Sequence, residues 1–341
     1  MKILLIGGTG KISTAISQKL QMMGHQLTLL NRGKRSEQVP DGTEVVVGDI
    51  HDEDAVAKLL AGRTFDVVAN FIAFEVADVQ RDFRLFQGKT KQYIFISSAS
   101  AYQKPPVNPV IMESTPLANP YWEYSRKKIA CEDWLMGQFR DTGFPLTIVR
   151  PSHTYDEFSI PLALHGNKGA WQTLRRMLEG KPVPIHGDGS TLWTLTHSRD
   201  FADAFIGLLG NPHSIGQAIQ ITSDECLTWT QIHEILAARL GATLNPLYVP
   251  SGLLSHVGNK YGYDFAGGLL GDKSCNAIFD NTKLKRLVPG FQATIRFDQG
   301  MDEAIANLLA HPELQQEDPE YDAFCDALSE MMGDMYHRFD S

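Results

Sequence analysis

The chain has 341 residues, of which 43% are hydrophobic and 21% charged, with a formal net charge of −9 at pH 7. That composition suits two domains, or one large α/β domain with an inserted lobe. It argues against a nucleic-acid partner, which wants a basic face. No stretch reaches the apolar length of a membrane span.

The apolar run from Ile3 to Ile6 is too short for a signal peptide and leads straight into glycines, so a cytoplasmic protein is expected. Cys131, Cys226, Cys275 and Cys325 show no close pairing and read as reduced thiols. No His/Asp/Glu/Cys set has metal-ligand spacing, so no metal is expected.

In chain order, Lys2–Ile6 reads as a buried strand. Residues 11–23 follow as a helix, with Ile12, Ala15, Ile16 and Leu20 at helical spacing and Gly24 as the stop. Further strands are expected at 26–30, Glu44–Val47, 65–72, 92–97 and 145–149, with Asp52 capping a helix that carries Ala55, Val56 and Leu59. Continuous apolar runs in β-α-β order predict a parallel sheet covered by helices on both faces.

After about Pro151 the rhythm changes. A helix over Trp171–Leu178 precedes a turn-rich stretch, and Phe201, Ala202, Phe205 and Leu208 mark a buried helix. A strand over 218–222 and a helix over 228–240 come next. Residues 251–273 are glycine-rich and poorly periodic, and read equally as a lid or substrate wall and as a long loop. The tail over 319–339 reads as an amphipathic helix with Tyr321, Phe324, Leu328, Met331 and Met332.

The first turn reads Gly7-Gly8-Thr9-Gly10-Lys11-Ile12-Ser13. Glycines between a first strand and a first helix let the backbone approach a pyrophosphate, and the helix start offers free amides. Gly7, Gly10, Lys11 and Ile12 are therefore candidate dinucleotide contacts, with Ser13 small enough to replace a third glycine. The fold class expected is α/β: a Rossmann-type doubly wound parallel sheet with a smaller, interleaved C-terminal substrate-binding lobe. Residues 1–155, joined again by 197–223, would form the dinucleotide domain, and 156–196 with 224–341 the lobe.

The second strand ends at Asn31-Arg32 with Lys34 and Arg35 beyond, where an acidic residue would select NAD. A neutral Asn31 beside cationic Arg32 favours NADP over NAD, unless these are simply solvated charges. Asp49 reads as an adenine contact or a local turn, with Ile50 beside it. Phe71, Ile72 and Ala73 line the cofactor or belong to the core.

The fifth strand runs into Ser97-Ser98-Ala99-Ser100-Ala101-Tyr102, at the sheet edge where such folds place ligands. Tyr124 and Lys128 lie four apart on one helix face. An ammonium beside a phenol lowers the phenol's pKa, so Tyr124 can take a hydroxyl proton while hydride leaves the same carbon. Ser98 can donate to the oxygen that changes between alcohol and carbonyl. Ser98, Tyr124 and Lys128 are thus the candidate catalytic set, and the substrate is a small molecule.

These motifs, with Arg150-Pro151, His197-Ser198-Arg199-Asp200 and Asp280-Asn281-Thr282-Lys283, make the chain resemble the extended, atypical short-chain dehydrogenase/reductase superfamily, in its branch of NAD(P)-dependent epimerases and dehydratases. The resemblance implies oxidoreductase, epimerase or dehydratase chemistry on a hydroxyl carbon of a sugar-like substrate. It implies that Tyr124 is the acid/base, that Lys128 binds the nicotinamide ribose, that Pro151 runs past the nicotinamide, and that the protein is a homodimer.

Members acting on nucleotide sugars carry arginines where this chain has Trp193 and the Leu269-Leu270 pair before Gly271-Asp272, and an asparagine where it has His153. Two missing guanidinium clamps argue against an ordinary nucleotide-diphosphate sugar. Arg175 and Arg176 could compensate, although a solvated face is the simpler reading. Ser100, His153 and Trp193 are candidate substrate contacts, with a satisfied core histidine favoured for His153. His197 reads as ordering the loop near Asp200. The alternative is a non-catalytic atypical member of the superfamily that binds dinucleotide, RNA or both, resembling chloroplast stem-loop-binding proteins. A redox-sensing regulator that uses NADP as its ligand is a third.

Overall fold

The computed structural model describes residues 1–340, apart from the side chains of Tyr336, Phe339 and Asp340. Its main sheet has seven strands: β1 (Lys2–Ile6), β2 (Gln26–Asn31), β3 (Glu44–Val47), β4 (Val67–Asn70), β5 (Tyr93–Ile96), β6 (Leu146–Pro151) and β7 (Gln217–Ile221). All pair in parallel, in the order β7-β6-β5-β4-β1-β2-β3. The strand order reverses between β1 and β4, the switch point where open α/β sheets leave a crevice for ligands.

Period-two alternation explains why these strands are apolar throughout. On β1, Ile3 and Leu5 enter the core beneath α1 (Ser13–Met22) and the buried helix Ser198–Leu208. Leu4 and Ile6 enter the opposite core, with α2 (Glu53–Leu59), α3 (Val76–Phe86) and α4 (Glu123–Thr142). Asp52 caps α2 by accepting from the Ala55 amide at 3.0 Å. β1 and β3 have the expected bounds, and the other strands end one or two residues from theirs, because hydrogen bonding rather than apolar content ends a strand.

Outside the sheet, His153–Tyr155, Leu192–His197 and Cys226–Thr228 form a three-stranded sheet. A third core gathers around Trp193, Trp229 and Met301. A fourth packs the C-terminal helix Pro319–Asp340, through Tyr321, Phe324 and Leu328, against Leu254, Tyr263 and Phe265.

Two expectations need correcting. The stretch 251–273 is not a long loop, and its last residues, Asp272 and Lys273, line a cavity, in keeping with the wall alternative. It forms helices Ser251–Lys260 and Phe265–Gly268 and a π-helical turn Leu269–Lys273. Its glycines serve packing: a Cβ on Gly271 would come within 2.8 Å of Trp122, and one on Gly267 would overlap the same indole. Arg176, in turn, does not lie on a solvated face. It is fully buried, donating to Pro182 O at 2.9 Å and to Asp322 at 2.6 Å, and so ties its helix to the C-terminal one. Arg175 pairs with Glu179 and Glu317.

Candidate active site

The glycine turn is built by its own hydrogen bonds. Gly7 has φ 84°, and a Cβ there would stand 2.7 Å from Ile72 Cγ2, so only glycine fits between β1 and the end of β4. Ser13 does more than stay small. Its hydroxyl donates to Gly7 O at 2.8 Å and accepts from the Gly10 amide at 2.9 Å, which closes the turn. The amides of Lys11 and Ile12 take no acceptor among the described residues and open onto the crevice at the start of α1.

Around this turn, Asn31 holds the Gly33 amide at 2.9 Å, and Arg32 and Lys34 are exposed. Arg35 donates to Thr9 O at 3.2 Å, so its guanidinium lies against the glycine turn. Asp49 is exposed and accepts from the His51 amide at 3.1 Å, the local-turn geometry. Ile50 is core, and Phe71 packs on Phe205 at 5.7 Å. Ile72 faces Gly7, and Ala73 is buried with its carbonyl turned to Lys128.

Ser98, Ser100, Tyr124, Pro151, His153 and Trp193 converge on one cavity of about 270 Å³ at the carboxyl ends of β5 and β6. Ser98 Oγ lies 2.9 Å from Ser100 Oγ, which accepts from Ser125 at 2.8 Å. Lys128 Nζ stands 5.9 Å from the centroid of the Tyr124 ring and donates to Ala73 O at 2.7 Å and Ile96 O at 2.8 Å. The Ile96 carbonyl ends β5 and the Ala73 carbonyl lies three residues beyond β4, so the ammonium pins the helix of Tyr124 to this edge of the sheet. Burial pushes its pKa down to about 8.

Tyr124 departs from the expectation that Lys128 lowers its pKa. Its phenol is held above the ordinary value, chiefly by burial, with Asp272 adding to the rise and a hydrogen bond from Ser98 opposing it. The ammonium is turned toward the two carbonyls instead.

Glu132, one turn beyond Lys128, receives Ser97 and clasps Arg150 at 3.0 and 2.5 Å, all buried. Glu132 therefore braces β5, β6 and α4. His197 accepts from the Arg199 amide at 3.2 Å, while Asp200 holds the amides of Thr294 and Ile295.

His153 is not a satisfied core histidine. It lines the cavity, makes no hydrogen bond among the described residues, and is kept neutral by burial, with Lys273 and Lys11 adding to the effect. Sequence reasoning missed Lys104, Trp122, Asp272, Lys273 and Phe279 on the same wall. Only Asp272 carried a signal, the Gly-Asp pair. It also missed Phe74, whose ring lies 4.4 Å from Lys128 Nζ.

A glycine turn at the switch point of a seven-strand parallel sheet, opposite a Ser–Tyr–Lys cluster at the strand ends, defines a Rossmann-type dinucleotide-binding protein of the extended short-chain dehydrogenase/reductase kind. The chain belongs to the NAD dependent epimerase/dehydratase family, whose profile matches residues 3–86 and 83–222. It is 25% identical to 2'-dehydrokanamycin reductase of Streptomyces kanamyceticus over 292 residues, 86% of this chain and 80% of that protein. It is 29% identical to the chloroplast stem-loop binding protein of 41 kDa b of Arabidopsis thaliana over 241 residues, 67% of this chain and 60% of that protein. Its fold matches that of UDP-glucuronic acid 4-epimerase from Bacillus cereus in complex with NAD, with a TM-score of 0.72 and 18% identity over 93% of this chain and 100% of that one.

Proposed function

We propose that this protein is an NAD(P)-dependent oxidoreductase, epimerase or dehydratase that works at a hydroxyl carbon of a sugar-like substrate through Tyr124, Ser98 and Lys128. The observation that carries the reading is the convergence of Ser98, Tyr124 and Pro151 on one cavity, with Lys128 fixed behind them. The residues fit a dinucleotide. Gly7 leaves no room for a side chain, the Lys11 and Ile12 amides await an acceptor, and Phe71, Ile72 and Ala73 wall the crevice.

A bound nicotinamide would accept or return hydride at the substrate carbon. Tyr124 moves the proton at the substrate oxygen. Ser98 donates to that oxygen and keeps it within reach of the phenol. Lys128 has two of its three donors on carbonyls and the third left for the cofactor ribose. Burial, which raises the Tyr124 phenol, favours its protonated form in the free protein.

NADP is favoured over NAD because Asn31 is neutral and Arg35 reaches the glycine turn. An ordinary nucleotide-diphosphate sugar is disfavoured because Trp193 and Leu269 are buried where arginine clamps would stand, while Arg175 and Arg176 are engaged elsewhere. The same reading makes 1–155 with 197–223 the cofactor unit, makes 156–196 with 224–341 the substrate lobe, and has the protein act as a cytoplasmic homodimer.

The test is Tyr124→Phe assayed with NADPH against a panel of keto sugars. Turnover is expected to fall by about 10²–10⁴-fold with NADPH affinity kept. Unchanged turnover would remove Tyr124 from the chemistry.

A further inference from the structure

We infer that the cavity selects a sugar-like substrate bearing an anionic group, a carboxylate or a phosphate, received between the ammonium groups of Lys104 and Lys273. The inference rests on the reading of this cavity as the substrate site.

Both lysines line the cavity, and their side chains are only 1% and 15% exposed. They share one carboxylate. Asp272 Oδ1 is 3.5 Å from Lys104 Nζ, and Oδ2 is 3.9 Å from Lys273 Nζ. Charge-assisted hydrogen bonds close to about 2.7–2.9 Å, so neither contact is a fully made one. Each ammonium has three donors, and neither lysine has another acceptor among the described residues. Lys128, by contrast, has two carbonyls at bonding distance. The contrast matters because a buried ammonium without acceptors is unfavourable. An oxyanion in the cavity would supply what the protein does not.

The charge count points the same way. Two ammonium groups flank one carboxylate, and of the other titratable side chains in the lining His153 is held neutral by burial and by Lys273, while the Tyr124 phenol is raised, chiefly by burial. Trp193 lies 5.9 Å from both ammonium groups, and Trp122 is 5.9 Å from Lys273. Such walls exclude water and strengthen the attraction for an anion. An aminated, cationic sugar would meet repulsion here. Ammonium point charges suit a single carboxylate or terminal phosphate, whereas paired arginine forks suit a diphosphate.

The Lys273 backbone is anchored. Its carbonyl lies 2.9 Å from His186 Nε2 and accepts from Thr191 at 3.2 Å. Asn119 Nδ2 holds Gly271 O at 2.7 Å. This lysine therefore belongs to a built wall rather than to a loose surface.

The test uses the full chain saturated with NADPH, so that the dinucleotide fills its own phosphate contacts. Acetate, inorganic phosphate and methylammonium are titrated by calorimetry at constant ionic strength. Acetate or phosphate is expected to bind saturably and methylammonium not to bind; the anion that binds tighter tells a sugar acid from a sugar phosphate. Lys273→Met and Lys104→Met should each weaken anion binding by at least about tenfold, with Lys273→Arg within a few-fold of the parent. Should one methionine variant fail to fold, the other reads the same contact. No anion binding, or equal binding by the methionine variants, overturns the inference. Tyr124-dependent turnover without anion selectivity sinks this inference alone. Anion binding with turnover indifferent to Tyr124→Phe sinks the catalytic reading and leaves the anion site standing.

Discussion

The glycine-turn crevice and the cavity wall are made in opposite ways. The crevice is a single run, Gly7 to Ser13, closed by hydrogen bonds among its own residues and backed by Ile72. The wall draws Lys104, Trp122, His153, Trp193 and Lys273 from five separate segments. The crevice holds its residues through backbone geometry, which dictates residue type. The wall holds its residues through packing, and many side chains satisfy packing. Ammonium groups show the same contrast: Lys128 has two carbonyls at 2.7 and 2.8 Å, while Lys104 and Lys273 reach only Asp272, at 3.5 and 3.9 Å.

This contrast can be broken by substitution, most sharply at Gly7. Gly7→Val puts a side chain at φ 84° and against Ile72, and should destabilise the fold by about 1–3 kcal/mol or more while abolishing NADPH binding. Calorimetric titration and a melting curve would read both. A Gly7→Val protein that kept parental NADPH affinity would refute the crevice.

Next in size is a pH effect on stability. His186 and His233 are buried, and burial pushes each down to about 4. Their neutral forms are favoured in the folded state, so the unfolded chain binds more protons between the unfolded value near 6.5 and about 4. Stability should therefore be full above pH 6.5 and fall by a few kcal/mol as pH drops through that window. Melting temperatures between pH 7 and pH 4.5 would show it, and His233→Leu should flatten the slope. A parental curve that is already flat would contradict the assigned burial.

The smallest effect is expected at Arg35, which is exposed. Arg35→Met should lower the preference for NADPH over NADH by about fivefold, leaving NADH affinity nearly unchanged. Equal losses for both cofactors would assign Arg35 to holding the turn rather than to reading the 2'-phosphate.

Much of this molecule could be read from its sequence, and the misses share a cause. Apolar strands, the glycine turn and the i,i+4 pairing of Tyr124 with Lys128 are local patterns whose geometry is set within a few residues. Residues 251–273 defeated that logic. Two of their glycines, Gly267 and Gly271, are there for Trp122, more than a hundred positions away, and no period along the chain signals that. Arg176 looked solvated because its acidic partner, Asp322, lies on the terminal helix.

The sequence by itself determined the doubly wound sheet, the glycine turn between β1 and α1 and the candidate Ser–Tyr–Lys set, since each follows from backbone conformation or helical spacing. Only the tertiary structure decided that the Tyr124 phenol is raised rather than lowered, that Asp49 makes a local turn, and that Lys104 and Lys273 flank Asp272 in the cavity. Burial and charge proximity depend on which distant segments pack together, and no spacing along the chain encodes that.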